Sequence, residues 1–159
     1  MYFMTEARAF QRPTTIERLL NRAIGTLVGL GLGPRHMRLL EVRGRKSGKR
    51  HALPVDLLIE GDRLYLVAPR GATEWVRNVE ASGEVTLRRG RRRAVYRARP
   101  VPESEKPAIL KAYLDRFRRE VQRYFPVPAG SPAEAFAPLA SRYPVFELLP
   151  APAPTRTRP

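Results

Sequence analysis

Apolar residues recur at helical spacing early in the chain, at Ile16, Leu19, Leu20, Ala23, Ile24, Leu27 and Val28, and Thr14 or Thr15 can cap the stripe after Pro13. The pattern predicts an amphipathic helix. It runs into Gly29-Leu30-Gly31-Leu32-Gly33-Pro34, an apolar exit far short of the roughly 20 residues that a bilayer span requires. Packing over a core is the expected placement of this helix. The other is peripheral membrane association through residues 14–33, at the inner face of the membrane.

From residue 37 the period changes. Met37 to Val42, Ala52 to Ile59 and Leu64 to Ala68 read as strands, the last two joined at Gly61-Asp62. Glu74 to Ala81 reads as a short helix. Val85 to Arg89 and Ala94 to Val101 form a hairpin about Gly90, in which Val85 and Leu87 alternate with Thr86 and Arg88 as in a half-buried strand. A second long helix is predicted from Glu103 to Tyr124, with Ile109, Leu110, Tyr113, Leu114, Phe117 and Val121 as its stripe. Tyr113, Tyr124 and Phe125 read as core or pocket-lid residues. A short helix from Ala133 to Leu139 and a closing strand from Val145 to Leu149 complete the elements.

The chain therefore reads as α+β and mainly β, with five or six short strands joined mostly by hairpins, an antiparallel sheet closing into a small barrel. Its expected organisation is a flexible N-terminus over residues 1–13, a single domain over 14–150 and a disordered Pro/Arg tail over 151–159. Strands do not alternate with helices throughout, so a doubly wound fold is not expected. Gly29-Leu30-Gly31-Leu32-Gly33 follows a helix, not a strand, and fails as a dinucleotide fingerprint.

Composition narrows the chemistry. A chain of 159 residues suits one domain. Its 30 Lys and Arg against 15 Asp and Glu leave a formal charge of +15, which favours anionic partners. The absence of cysteine removes thiol nucleophiles and thiolate-bound clusters, and His36 and His51, standing alone, make no metal site. Glu6, Arg8, Arg12 and Glu17 interrupt the N-terminal region, which gives it no signal-peptide layout, and a cytoplasmic protein is expected.

Between the first two strands lies the densest chemistry, Gly44-Arg45-Lys46-Ser47-Gly48 followed by Lys49-Arg50. Glycines let the chain turn and bring main-chain N–H groups toward a ligand, while Arg45 offers a planar fork and Lys46 a point charge to phosphate or carboxylate oxygens. Only three residues separate Gly44 from Gly48 and Arg50 follows Lys49, so the nucleotide triphosphatase loop is excluded. Arg88, Arg89, Arg91, Arg92 and Arg93 crowd the later hairpin. No nucleic-acid partner is expected, because Trp75 and Tyr96 do not interleave with these arginines as a stacking platform requires.

An ordered series surrounds the basic turn: Pro54, Gly61-Asp62-Arg63, Val67-Ala68-Pro69-Arg70-Gly71, Trp75 and Asn78 in Trp-Val-Arg-Asn, then Ala81-Ser82-Gly83-Glu84-Val85. Over Leu39 to about Leu149 the chain resembles the deazaflavin-dependent nitroreductases, members of the split-barrel flavin and deazaflavin oxidoreductases. The resemblance implies a split β-barrel of FMN-binding-like type and coenzyme F420 as cofactor, with FMN the alternative. It implies that Arg45, Lys46 and Ser47, within Gly44 to Gly48, hold the coenzyme's phosphate. Ala68, Pro69, Arg70 and Gly71 would lie along the deazaflavin ring, with Pro54, Trp75 and Asn78 completing the pocket. Asp56 stands where the better-known nitroreductases carry an aromatic substrate-pocket residue, and Pro69 where they carry a serine. The implied reaction is hydride transfer to a small-molecule acceptor, a quinone, nitro compound or conjugated carbonyl, with no catalytic side chain and no metal. A monomer or homodimer is implied. The alternative reading is a non-catalytic carrier of flavin, deazaflavin or lipid.

Overall fold

The computed structural model describes residues 15–152; the expected flexible segment 1–13 and residues 153–159 of the expected tail lie outside the described residues. The order of elements is α1 (Thr15–Gly29), β1 (Met37–Arg43), β2 (Arg50–Glu60), β3 (Arg63–Val67), α2 (Glu74–Ser82), β4 (Glu84–Arg89), β5 (Arg92–Pro100), α3 (Lys106–Val121) and β6 (Val145–Pro150). The six strands close into an antiparallel barrel in the order β1-β2-β3-β6-β5-β4. Tight turns make the local hairpins: Gly61 and Gly90 both take positive φ, 61° and 58°, where a side chain would be strained. Closure comes from distant pairs, Leu40 with Leu87 and Leu66 with Phe146.

Alternation along the strands builds two cores. Leu40, Val42, Leu57, Leu66, Val85, Leu87, Phe146 and Leu148 point into the barrel, where Val76 and Val79 of α2 join them. Leu58, Tyr65, Val67, Val101 and Val145 point outward and meet Leu110, Tyr113, Leu114, Phe117 and Val121 of α3, with Phe125 and Phe136 beyond. The barrel wall is thus buried on both faces along α3.

Two helices differ from expectation. The second long helix is not continuous from Glu103 to Tyr124: a 3₁₀ turn at Glu103–Glu105 precedes α3, another at Gln122–Tyr124 follows it, and Phe117 departs from helical geometry at φ −113° and ψ 26°. The stripe of α1 does not pack over the core as expected. Of the stripe only Val28 is buried and Ile24 half-buried, while Ile16, Leu19, Leu20 and Leu27 are exposed; Gly25 and Gly29 face the barrel beside Val28. The reason is steric. A Cβ on Gly25 would stand 3.4 Å from Leu39 and 3.6 Å from Pro54, so the missing side chain lets the helix backbone settle on β1 and β2. The segment from Ala133 is a 3₁₀ run to Arg142. Ala151, at the start of the expected tail, still donates its N–H to the Val95 carbonyl at 3.2 Å.

Candidate cofactor site

The basic turn is a closed hydrogen-bonded loop between β1 and β2. The Gly44 N–H donates to the Lys49 carbonyl at 2.7 Å, the Gly48 N–H to the Gly44 carbonyl at 2.9 Å, and the Lys49 N–H to Ser47 Oγ at 3.2 Å. Gly48 takes φ 68°, and a Cβ on Gly44 would come 2.7 Å from His51 Nε2. The positive φ of Gly48 favours glycine there, and a side chain at Gly44 would have to displace the His51 ring.

The turn is braced on α2. The Arg45 N–H donates to Asn78 Oδ1 at 3.2 Å, and the Arg45 guanidinium donates to the same oxygen at 2.8 Å and to Glu74 Oε2 at 2.9 Å. Asn78 is buried, so this one amide oxygen fixes both the backbone and the side chain of Arg45. The hydrogen bond from Arg45 holds the Glu74 carboxyl below the ordinary carboxylate range. Lys46 and Ser47 lie at the exposed crest, and neither their main-chain N–H groups nor the Lys46 and Lys49 ammonium groups have a hydrogen-bond or salt-bridge partner among the described residues. Two main-chain N–H groups, a hydroxyl and two ammonium groups are a donor set suited to phosphate oxygens.

The second cluster lies where α1, β2 and the end of α3 meet. On the outer face of β2, Pro54 packs beneath Gly25 of α1 and Leu58 packs under α3, with Asp56 between them. Asp56 Oδ1 lies 3.3 Å from His36 Nε2, and the His36 ring lies 4.9 Å from that of Phe117. Burial pushes the Asp56 carboxyl above its ordinary range, His36 opposes the shift and Glu120 adds to it. Burial likewise pushes the Tyr113 hydroxyl up, with Asp56 contributing.

The loop Ala68-Pro69-Arg70-Gly71 leads from β3 into α2 and links the two clusters. Ala68 is buried and its N–H donates to the Pro144 carbonyl at 2.9 Å, while Gly71, at φ 80°, closes back on the Ala68 carbonyl at 3.1 Å. Arg70 reaches Glu17 of α1 at 3.9 Å and stands 5.9 Å from the centre of the Tyr124 ring. Trp75 packs on Phe146 at 6.3 Å between ring centres. A surface cavity of about 580 Å³ lies elsewhere, between Tyr65, Pro107, Ile109 and Ala133, and a cleft of about 340 Å³ is lined by Glu41, Arg43, Arg50 and Thr86. None of the residues expected at the site lines either one.

Two partners went unread in the sequence. Glu74 enters there only as the first residue of a short helix, and His36 as one of two lone histidines. A signal for the second existed, because the β1–β2 register sets Met37 opposite Asp56 and His36 next to that pair.

Residues 14–125 match the family model of the F420H(2)-dependent quinone reductases, more than half of the chain. The chain belongs to this family. F420-dependent reduction is therefore its class of chemistry, and coenzyme F420 its cofactor. No curated protein matches the chain. Among solved structures, one described as a domain-swapped dimer is 24% identical, covering 84% of this chain and 92% of its own, with a TM-score of 0.53. The heme storage protein HutZ of Vibrio cholerae is 13% identical over 75% of this chain and 84% of its own, with a TM-score of 0.53. An F420-H2 dependent reductase aligns at 22% identity over 72% of this chain and 94% of its own, with a TM-score of 0.49. The closed six-stranded barrel and the first two likenesses give this quinone reductase family member a split β-barrel fold. Among the described residues no helix is long and apolar enough to cross a membrane, and no group of His, Asp and Glu is placed to hold a metal ion.

Proposed function

We propose that the protein transfers a hydride from reduced coenzyme F420 to a small electrophilic acceptor, a quinone first, with nitro compounds and conjugated carbonyls as alternatives. The observation that carries this reading is the crest of the basic turn, where Lys46, Ser47 and Lys49 present unpartnered donors on a loop locked to α2 through Arg45, Asn78 and Glu74. Such a crest suits a phosphodiester. In this reading Lys46, Ser47 and the main chain of the turn anchor the phosphate, and Arg45 contributes its remaining donors from a fixed position.

When bound, the coenzyme supplies the hydride chemistry. The chain supplies position. Ala68 to Gly71 would lie along the ring, and Pro69, which has no N–H, would leave that stretch with fewer donors to it. Trp75 and Pro54 would give the pocket apolar walls. Reduction of a quinone to a quinol takes one proton as well as the hydride, and Asp56 with His36 at 3.3 Å is the pair on this wall able to hold that proton. Burial raises the Asp56 carboxyl above its ordinary value, so it holds a proton more readily than an exposed aspartate, where an aromatic residue would only stack.

The test is turnover. Loss of reduced-coenzyme absorbance is expected only when a soluble quinone is present, and Lys46→Ala should raise KM for the coenzyme about tenfold with little change in kcat, since it removes binding common to ground and transition states. Absence of turnover with quinone, nitro and enone acceptors alike would refute the enzymatic reading.

A further inference from the structure

A row of rings crosses the aromatic layer under α3 and ends on His36. Tyr143 stacks on Phe125 at 4.5 Å between ring centres, Phe125 meets Tyr113 at 6.4 Å, Tyr113 meets Phe117 edge-on at 5.2 Å, and Phe117 meets the His36 imidazole at 4.9 Å. The four carbocyclic rings are buried. Phe117, the last of them, stands where α3 departs from helical geometry. Neither proline nor glycine occurs between Lys111 and Gln122, so the sequence supplies no local breaker, and the contact that goes with the break is tertiary.

The sheet fixes the backbone of His36 and leaves its ring free. The His36 carbonyl accepts from the Leu57 N–H at 3.0 Å, which sets the residue opposite Leu57, and Leu57 points into the barrel. A ladder residue at that register would share the inner face. His36 instead lies in the turn before β1, and its imidazole reaches the outer face, with Nε2 3.3 Å from Asp56 Oδ1. That oxygen is buried and makes no hydrogen bond among the described residues, so where the imidazole is held decides its surroundings. The charges nearby are few. Glu120 and Tyr113 of α3 bear on Asp56 with His36. Arg38 folds back on the Arg35 and Met37 carbonyls, Arg89 on the Pro34 and Met37 carbonyls, and Glu17 of α1 faces Arg70.

We propose that Phe117 is a positioning residue for the Asp56–His36 pair: its ring, anchored through Tyr113 and Phe125, holds the imidazole against the Asp56 carboxyl. As a part of the reaction this rests on the reading that Asp56 holds the quinol proton; the contact itself does not. An imidazole held there opposes the burial that raises Asp56, and so sets the pH at which the carboxyl gives up its proton.

Carbon-13 NMR of aspartate-labelled full chain reads the Asp56 carboxyl, one of three aspartates, without coenzyme or turnover. Phe117→Met removes the ring and keeps a large apolar side chain. It should raise the Asp56 titration midpoint, as His36→Gln should, and should add nothing when combined with His36→Gln. Phe117→Tyr keeps the ring and should titrate as wild type does. Phe136→Met, in the same layer but packed on Phe125, should lower stability and leave Asp56 unmoved. In turnover, Phe117→Met should carry the fall of kcat/KM to higher pH with KM for the coenzyme unchanged. An Asp56 midpoint unmoved by Phe117→Met, moved equally with and without His36, or moved as far by Phe136→Met would overturn the proposal. A midpoint that moves as expected while the pH profile of turnover stays still would support the positioning and refute the proton reading.

Discussion

Asn78 shows how one buried amide positions charges it does not share. Its Oδ1 accepts from both the backbone and the guanidinium of Arg45, so Asn78→Ala leaves two donors to water or to nothing. We expect a loss of about 1–3 kcal/mol in unfolding free energy, and weaker coenzyme binding at a crest the residue never reaches. Chemical denaturation and a fluorescence titration measure the two effects. The position of Asn78 was legible in the sequence because it sits in an ordered series. Its partner Glu74 was not, since a glutamate in a first helical turn is explained by the helix dipole alone.

Asp56 carries the pH dependence. Its folded-state pKa is raised, mainly by burial, so the native state holds the proton more tightly than the unfolded chain does. That contribution is fully present below the unfolded value and is lost as pH rises through the raised folded value. The Asp56→Asn variant should therefore gain on the wild type in melting temperature as pH rises above the unfolded carboxylate value of about 4, with the two close at the acid end. If the proton is used in turnover, the same variant flattens the fall of kcat/KM with rising pH. Calorimetry and a pH profile check each outcome.

The strands were readable as elements, because alternation at Val85, Thr86, Leu87 and Arg88 and the glycine turns are local signals. The closure of the sheet was not fully readable, since β1 with β4 and β3 with β6 pair across long stretches of chain and leave no local mark. For α1 the periodicity located the helix and misdirected its face. Two glycines decided the matter, because a helix packs closest on the side that lacks side chains. Gly25→Leu should accordingly lift α1 from Leu39 and Pro54, with faster hydrogen exchange over residues 15–29 and little change in β2 to β6. In α3 the stripe keeps helical spacing through Phe117, so the break there was invisible to periodicity. That break accompanies the contact of Phe117 with His36 and precedes the turn that sets Tyr124 near Arg70.

At the scale of the molecule, the barrel wall is held between its interior and the aromatic layer under α3. Phe136 is completely buried in that layer, and Phe136→Ala should cost about 3–5 kcal/mol, seen as a lower denaturant midpoint. The charge of +15 is less free than the sequence suggests, because Glu41 and the α1 exit tie down Arg88, Arg89 and Arg93. Exposed cations without a salt bridge among the described residues remain at the crest of the basic turn, beside α1 and along α3 at Arg116, Arg118 and Arg119. The central claim is that the crest binds the phosphate of coenzyme F420, and a side-by-side titration with F420, FMN and a short DNA duplex tests it most directly. F420 should bind in the micromolar range and more tightly than the other two, and Lys46→Ala with Ser47→Ala should weaken F420 alone by more than tenfold. Tighter binding of FMN or the duplex, or an F420 curve unmoved by the double substitution, would contradict it.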